Sequence, residues 1–250
     1  MSRTKPQRKE SRSRRNNQGT PENFELYVVP DSRKIVSPLR PMTKAQSRYM
    51  TAIESHIITF GTGFAGTGKT YIAAAMAADL LHDKKIDKII ITRPAVEAGE
   101  SFGFLPGLLD EKYAPYLEPY IDVFHERLGK SHTEYLIKHK RIEAKALGFM
   151  RGVTFTDCWA LLDEAQNVSP SQMKLFLSRL GNNAKAIISG DIEQSDISGR
   201  SGLDDAIRLL KDAPSVAHVD FDSTDDIVRS GIARDIIIAY SGQSTGKNYW

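Results

Sequence analysis

Residues 61–70 read Gly-Thr-Gly-Phe-Ala-Gly-Thr-Gly-Lys-Thr. An apolar, β-branched run, His56-Ile57-Ile58-Thr59-Phe60, leads into them. A helical pattern, Tyr71-Ile72-Ala73-Ala74-Ala75-Met76-Ala77-Ala78, leads out. Strand, glycine-rich loop and helix in succession give a G-x-x-x-x-G-K-T string the setting of a phosphate-binding loop, where an ordinary turn would lack it. Gly63, Gly66 and Gly68 let the backbone turn its N–H groups inward around an anion, with Phe64, Ala65 and Thr67 completing the cradle. Lys69 then reaches the outer phosphates, and the Thr70 hydroxyl suits Mg²⁺. The N-terminus of the following helix adds partial positive charge.

The chain has 250 residues, 40% of them hydrophobic, enough for one α/β domain with a real core. Its one cysteine, Cys158, excludes an intrachain disulfide and argues against a zinc cluster. It precedes an apolar run and reads as a core residue. With no signal-peptide pattern, the cytoplasm is the expected compartment. No apolar run approaches a membrane span of about 20 residues. The net charge of +3 is uneven. Residues 1–20 carry Arg3, Lys5, Arg8, Lys9, Arg12, Arg14 and Arg15 against Glu10, a net +6, which leaves −3 for the remainder. This polar stretch is expected to be a disordered basic tail. Such an arm can hold a polynucleotide backbone through counterion release, or serve solubility alone.

Along the chain, Glu25–Val29 and Lys34–Val36 read as short strands. Thr43 caps a helix over about 44–54. After the loop and its helix comes a buried-type strand at 87–92, then a loop-rich stretch over 93–107. Residues 108–128 have helical spacing that Pro115 and Pro119 break or kink. A short helix at 132–140 and a strand at 142–147 follow. Trp159–Leu162 is a buried strand. Ser169-Pro170 opens a helix to Leu180 that Gly181 ends. Then come a strand at 184–189, a helix at 202–211, a strand at 216–221 and a last helix at 225–240. This alternation predicts a mainly parallel sheet covered by helices on both faces, a single domain over 21–241, and a polar tail at 242–250. Ligands on such sheets lie at the carboxyl ends of the strands, where the informative motifs fall.

The strand at 159–162 ends in Asp163-Glu164. Asp163 is placed to hold Mg²⁺ beside Thr70, and Glu164 to orient and deprotonate the water that attacks a γ-phosphate. Gly190-Asp191-Ile192-Glu193-Gln194 closes another strand and sets the Gln194 amide near the scissile phosphate, where it can both donate and accept. Gln46, upstream of the loop, presents an edge that fits adenine, which favours ATP over GTP. Arg93 lies past the second strand. Arg229 opens the last helix, where it can neutralise the γ-phosphate of a neighbouring subunit or pair with Asp225 or Asp226.

In order, the chain carries Phe64-Ala65-Gly66-Thr67-Gly68-Lys69-Thr70, Thr92-Arg93-Pro94-Ala95-Val96-Glu97-Ala98-Gly99-Glu100 and Gly103-Phe104-Leu105-Pro106-Gly107. Phe149-Met150-Arg151-Gly152, Leu162-Asp163-Glu164-Ala165-Gln166-Asn167 and Gly190-Asp191 through Gln194 follow. From about residue 20 to 241 this set resembles the PhoH-like proteins, RecA-like P-loop ATPases related to the motor domain of superfamily 1 helicases. The resemblance implies ATP hydrolysis, a cytoplasmic setting and ring assembly, a hexamer by expectation. RNA or single-stranded DNA is the partner that the basic tail suggests here; the resemblance implies RNA binding or unwinding for relatives that carry extra domains. It carries the same roles onto Lys69, Thr70, Asp163, Glu164 and Gln194, adenine reading onto Gln46 and an arginine finger onto Arg229. Two departures stand out: Phe64 where relatives often have proline, and Ser230-Gly231 after Arg229 where they often have His-Pro. No second RecA-like domain is seen, so motor action needs a neighbouring subunit. Two other readings stay open: a nucleic-acid binder that uses ATP as a switch, and a P-loop small-molecule kinase.

Overall fold

The computed structural model describes residues 36–94, 114–197 and 199–244, besides Met1. The elements below all lie in the unit Asp31–Trp250. Strands β1 (Ile58–Gly63), β2 (Lys88–Thr92), β3 (Ile142–Ala144), β4 (Cys158–Leu162), β5 (Lys185–Gly190) and β6 (Val216–Phe221) form one sheet in the order β3-β2-β4-β5-β1-β6. Every recorded pairing between them is parallel. The central strands of a parallel sheet are covered on both faces, so their sequences run apolar without alternation. Cys158-Trp159-Ala160-Leu161-Leu162 obeys this and is buried throughout.

Helices α1 (Lys44–Ser55), α2 (Lys69–His82), α3 (Ala114–Leu128) and α4 (Lys130–Lys138) supply one face. Their core residues include Tyr49, Ile53, Phe124 and Leu136, packed with Ile89 and Phe221 of the sheet. Helices α5 (Pro170–Leu177) and α6 (Gly202–Leu210) cover the other, around Phe60, Phe176 and Leu203. This is the mainly parallel, doubly covered P-loop fold expected of the sequence, of RecA-like type. Because β5 stands between β1 and β4, the chain segment after it lies between the phosphate loop and the acidic pair.

Several boundaries differ from expectation. The helix over 108–128 begins, among the described residues, at Ala114 and runs through Pro119 to Leu128. Pro115 is the second of its described residues. Pro119 forfeits one bond, and burial of Tyr120, Phe124 and Leu128 holds the helix together. Strand β3 stops at Ala144, and Leu147 is buried in a 3₁₀ turn. Helix α5 ends at Leu177, and Gly181 is no cap. Its N–H donates to the Phe155 carbonyl at 2.8 Å, and a Cβ there would stand 2.8 Å from that oxygen. The glycine permits a close backbone approach.

The largest revision concerns the last helix. A 3₁₀ turn at Thr224–Asp226 is capped by Ser223, and the next helix, α7, starts only at Gly231. Between them Ile227 is buried and extended, and the Val228 N–H donates to the Gly66 carbonyl at 3.0 Å. The backbone here is tied to the phosphate loop and unavailable to a helix, so Arg229 precedes α7 and does not open it. Helix α7 runs on to Ser244, past the expected start of the tail at 242. The expected strands at 25–29 and 34–35, the tail of residues 1–20 and the last six residues fall outside the described residues; Val36 is irregular.

Candidate functional site

The loop takes its shape from three left-handed glycines, Gly63 (φ +108°), Gly66 (φ +74°) and Gly68 (φ +86°). At Gly63 a Cβ would lie 2.3 Å from the Phe221 carbonyl oxygen, so only glycine fits the seam between β1 and β6. Phe64 N–H donates to that same carbonyl at 3.0 Å. Lys69, the first residue of α2, is buried. Its ammonium folds back into the loop and donates to the Gly63 and Phe64 carbonyls at 2.7 Å each and to Thr67 Oγ1 at 3.1 Å. Burial pushes Lys69 down to about 8, against the opposing pull of Asp191, Asp163 and Glu164. A desolvated cation surrounded by oxygens is ready to exchange them for those of an anion.

Thr70 Oγ1 lies 3.3 Å from both carboxylate oxygens of Asp163. Burial raises the Asp163 carboxyl, while Arg93 opposes the rise. Tyr120, buried in α3, has its hydroxyl pushed up by burial, with the Asp163 carboxylate adding to the rise. Next to it Glu164 stands in the left-handed region, φ +53° and ψ +38°, which costs a non-glycine residue of order 1 kcal/mol. Both of its carboxylate oxygens are engaged: Oε1 by Arg93 Nη2 at 2.9 Å and Oε2 by Gln166 Nε2 at 2.7 Å. The buried Gln166 then accepts the Asp191 N–H at 3.0 Å, and Asp191 Oδ2 accepts Gln194 Nε2 at 2.7 Å. One hydrogen-bonded line thus crosses from the end of β2 to the end of β5. Burial raises the Asp191 carboxyl as well.

Gln46 is buried on α1 against the loop. Its Nε2 donates to the Thr67 carbonyl at 2.9 Å and its Oε1 accepts the Met42 N–H at 2.7 Å. An amide so held keeps one further N–H and one further lone pair. Arg229 rests its side chain on Gly66 of its own chain: a Cβ on that glycine would stand 2.6 Å from Arg229 Cγ. Asp225 pairs with Arg234 at 3.3 Å.

Gln46, Lys69, Thr70, Arg93, Asp163, Glu164, Asp191, Gln194 and Arg229 border a cavity of about 670 Å³, within the range of small-ligand sites. Of the sequence-predicted site residues, only Gly63 and Phe64 do not border it. Sequence reasoning missed Tyr120 and the bridging part of Gln166. Gln166 stands inside a recognised box and was assigned no part. Nothing local marks Tyr120.

Residues 38–241 match the model of a family described as PhoH-like protein. The chain belongs to the PhoH family. It is 47% identical over 208 residues to the PhoH-like protein of Bacillus subtilis (strain 168), covering 82% of this chain and 65% of that one. Against the protein PhoH of Escherichia coli (strain K12) identity is 45% over 220 residues, covering 86% and 62%. This PhoH family chain therefore spans less than two thirds of the length of these relatives. Among solved structures, the HK97 bacteriophage large terminase aligns with TM-score 0.47 and 13% identity over 84% of this chain and 48% of that one. The Pif1 helicase from Candida albicans aligns with TM-score 0.37 and 13% identity, over 74% and 41%.

Proposed function

We propose that this chain is a Mg²⁺-dependent ATPase that hydrolyses the γ-phosphate of ATP held in the loop 63–70. One observation carries the reading: the ends of β1, β4 and β5 bring Lys69, Thr70, Asp163, Glu164 and Gln194 to one cavity. The residues fit both absent groups. The three acceptors of Lys69 are oxygens that phosphate oxygens can replace. The Thr70 hydroxyl and Asp163 carboxylate lie side by side, the hard oxygen set that Mg²⁺ takes. When bound, Mg²⁺ would neutralise charge on the outer phosphates. Glu164 would orient the attacking water and take its proton, the Gln194 amide would face the γ-phosphate, and Gln46 would read adenine. A water-activating glutamate favours hydrolysis over transfer to a small-molecule hydroxyl; phosphoryl transfer to any other acceptor would revive the kinase reading.

In this reading Lys69→Ala loses nucleotide binding by calorimetry. Glu164→Gln binds ATP but turns it over about 10²- to 10⁴-fold more slowly. Normal turnover by Glu164→Gln would reject the assignment.

Assembly into a ring is part of the proposal. Helix α7 leaves Ile232, Ile236 and Tyr240, four residues apart, 72%, 51% and 69% exposed. A second copy of this chain is the occupant we assign to that stripe. Arg229 borders the cavity of its own subunit, so its service to a neighbour's nucleotide needs a direct test. Mixing Arg229→Ala with Lys69→Ala subunits restores activity only if the guanidinium acts across an interface. The basic residues 3–15 support RNA or single-stranded DNA as a further partner. Salt-dependent binding of a polynucleotide, lost on deletion of residues 1–20, is the expected result.

A further inference from the structure

Arg93 has no part in the reaction outlined above, yet it makes one of the most specific contacts in the site. It lies just beyond β2, and its Nη2 meets Glu164 Oε1 at 2.9 Å across 71 residues of chain. Gln166 holds the other oxygen of the same carboxylate, and the Glu164 backbone is fixed in a left-handed conformation. A base that must accept a proton from water is here turned to a cation and an amide, each of its oxygens already accepting one hydrogen bond. Resting on the ATPase reading, we infer that Arg93 is a positioning residue that restrains Glu164, holding its carboxylate away from the attacking water until the ion pair opens.

The pair is suited to opening. The Arg93 and Glu164 side chains are 26% and 44% exposed, and an ion pair so wet is worth little and exchanges readily. The restraint is therefore a modest brake on turnover. It acts on the catalytic step and leaves the grip on the nucleotide, supplied by residues 63–70, in place.

Steady-state ATP hydrolysis at saturating Mg²⁺ and ATP tests the inference. Arg93→Ala is expected to raise kcat about two- to fivefold, the range that an exposed ion pair can withhold. Arg93→Lys keeps a cation near the carboxylate and is expected to return kcat toward wild type. In a Glu164→Gln background, Arg93→Ala has nothing to release and leaves the residual rate unchanged. A fall in kcat would make the guanidinium a helper of the transition state and overturn the inference. So would a change confined to KM, or a Lys variant as fast as the Ala variant. A readout free of turnover separates this failure from failure of the ATPase reading. Urea unfolding of the nucleotide-free wild type, Arg93→Ala, Glu164→Gln and the double variant forms a cycle, in which non-additive stabilities are expected. Strict additivity overturns the pair even if ATP is hydrolysed. Absence of hydrolysis by the wild type overturns the ATPase reading, while the cycle still decides the pair.

Discussion

Lys69 and Cys158 show how burial acts in opposite senses on a cation and a thiol. Taking charge out of water lowers the first and raises the second. Cys158, at the head of β4, is buried and pushed up to about 11 from 9.0, with Lys88 opposing the rise. The neutral thiol is favoured in the folded protein, so its contribution to stability is complete below pH 9 and is lost as pH rises from 9 toward 11. At pH 8 the folded protein should therefore react slowly with a disulfide reagent such as DTNB and promptly once unfolded in urea; a fast reaction of the native protein would contradict the burial. The sequence revealed much at this scale, but unevenly. The phosphate loop, Asp163 and Glu164 were legible because the spacing that defines them is local and the strand before each is apolar. Arg93 pairing with Glu164 and Gln166 bridging to Asp191 were not. Those contacts join residues from separate strands and helices, and only the crossover order of the sheet brings them together.

At the level of elements, hydrophobic runs were the dependable signal. Strands β4, β5 and β6 fall within a residue of expectation: β4 and β5 read as buried apolar runs, and β6, at the edge of the sheet, alternates buried Val219 and Phe221 with exposed His218 and Asp220. Ends were less legible where tertiary contacts overrode local signals. Pro119 did not stop α3, Gly181 did not cap α5, and Asp225 did not begin a long helix. The start of α5 is the counterexample. Ser169 accepts the Gln172 N–H while the Gln172 side chain returns to the Ser169 N–H, a complete capping box. Ser169→Ala should lower stability by about 1 kcal/mol in urea denaturation. Ser169→Asp, which keeps an acceptor, should recover most of that loss. If both variants match wild type, the cap contributes nothing to the fold.

For the molecule as a whole, the exposed stripe of α7 makes assembly measurable. Ile236→Asp should shift the mass observed by light scattering with Mg²⁺ and ATP toward that of one chain, while the circular dichroism spectrum stays unchanged. An unaltered mass would free α7 of any part in self-association. The thread from β6 to α7 adds a further consequence, because Val228 is hydrogen-bonded to Gly66. Whatever reshapes the cradle tugs on the rope that moors this helix, and whatever clasps the helix steadies the cradle in return. If copies of the chain gather through this helix, occupancy and companionship become reciprocal: a filled pocket would recruit neighbours, and gathered neighbours would help fill the pocket.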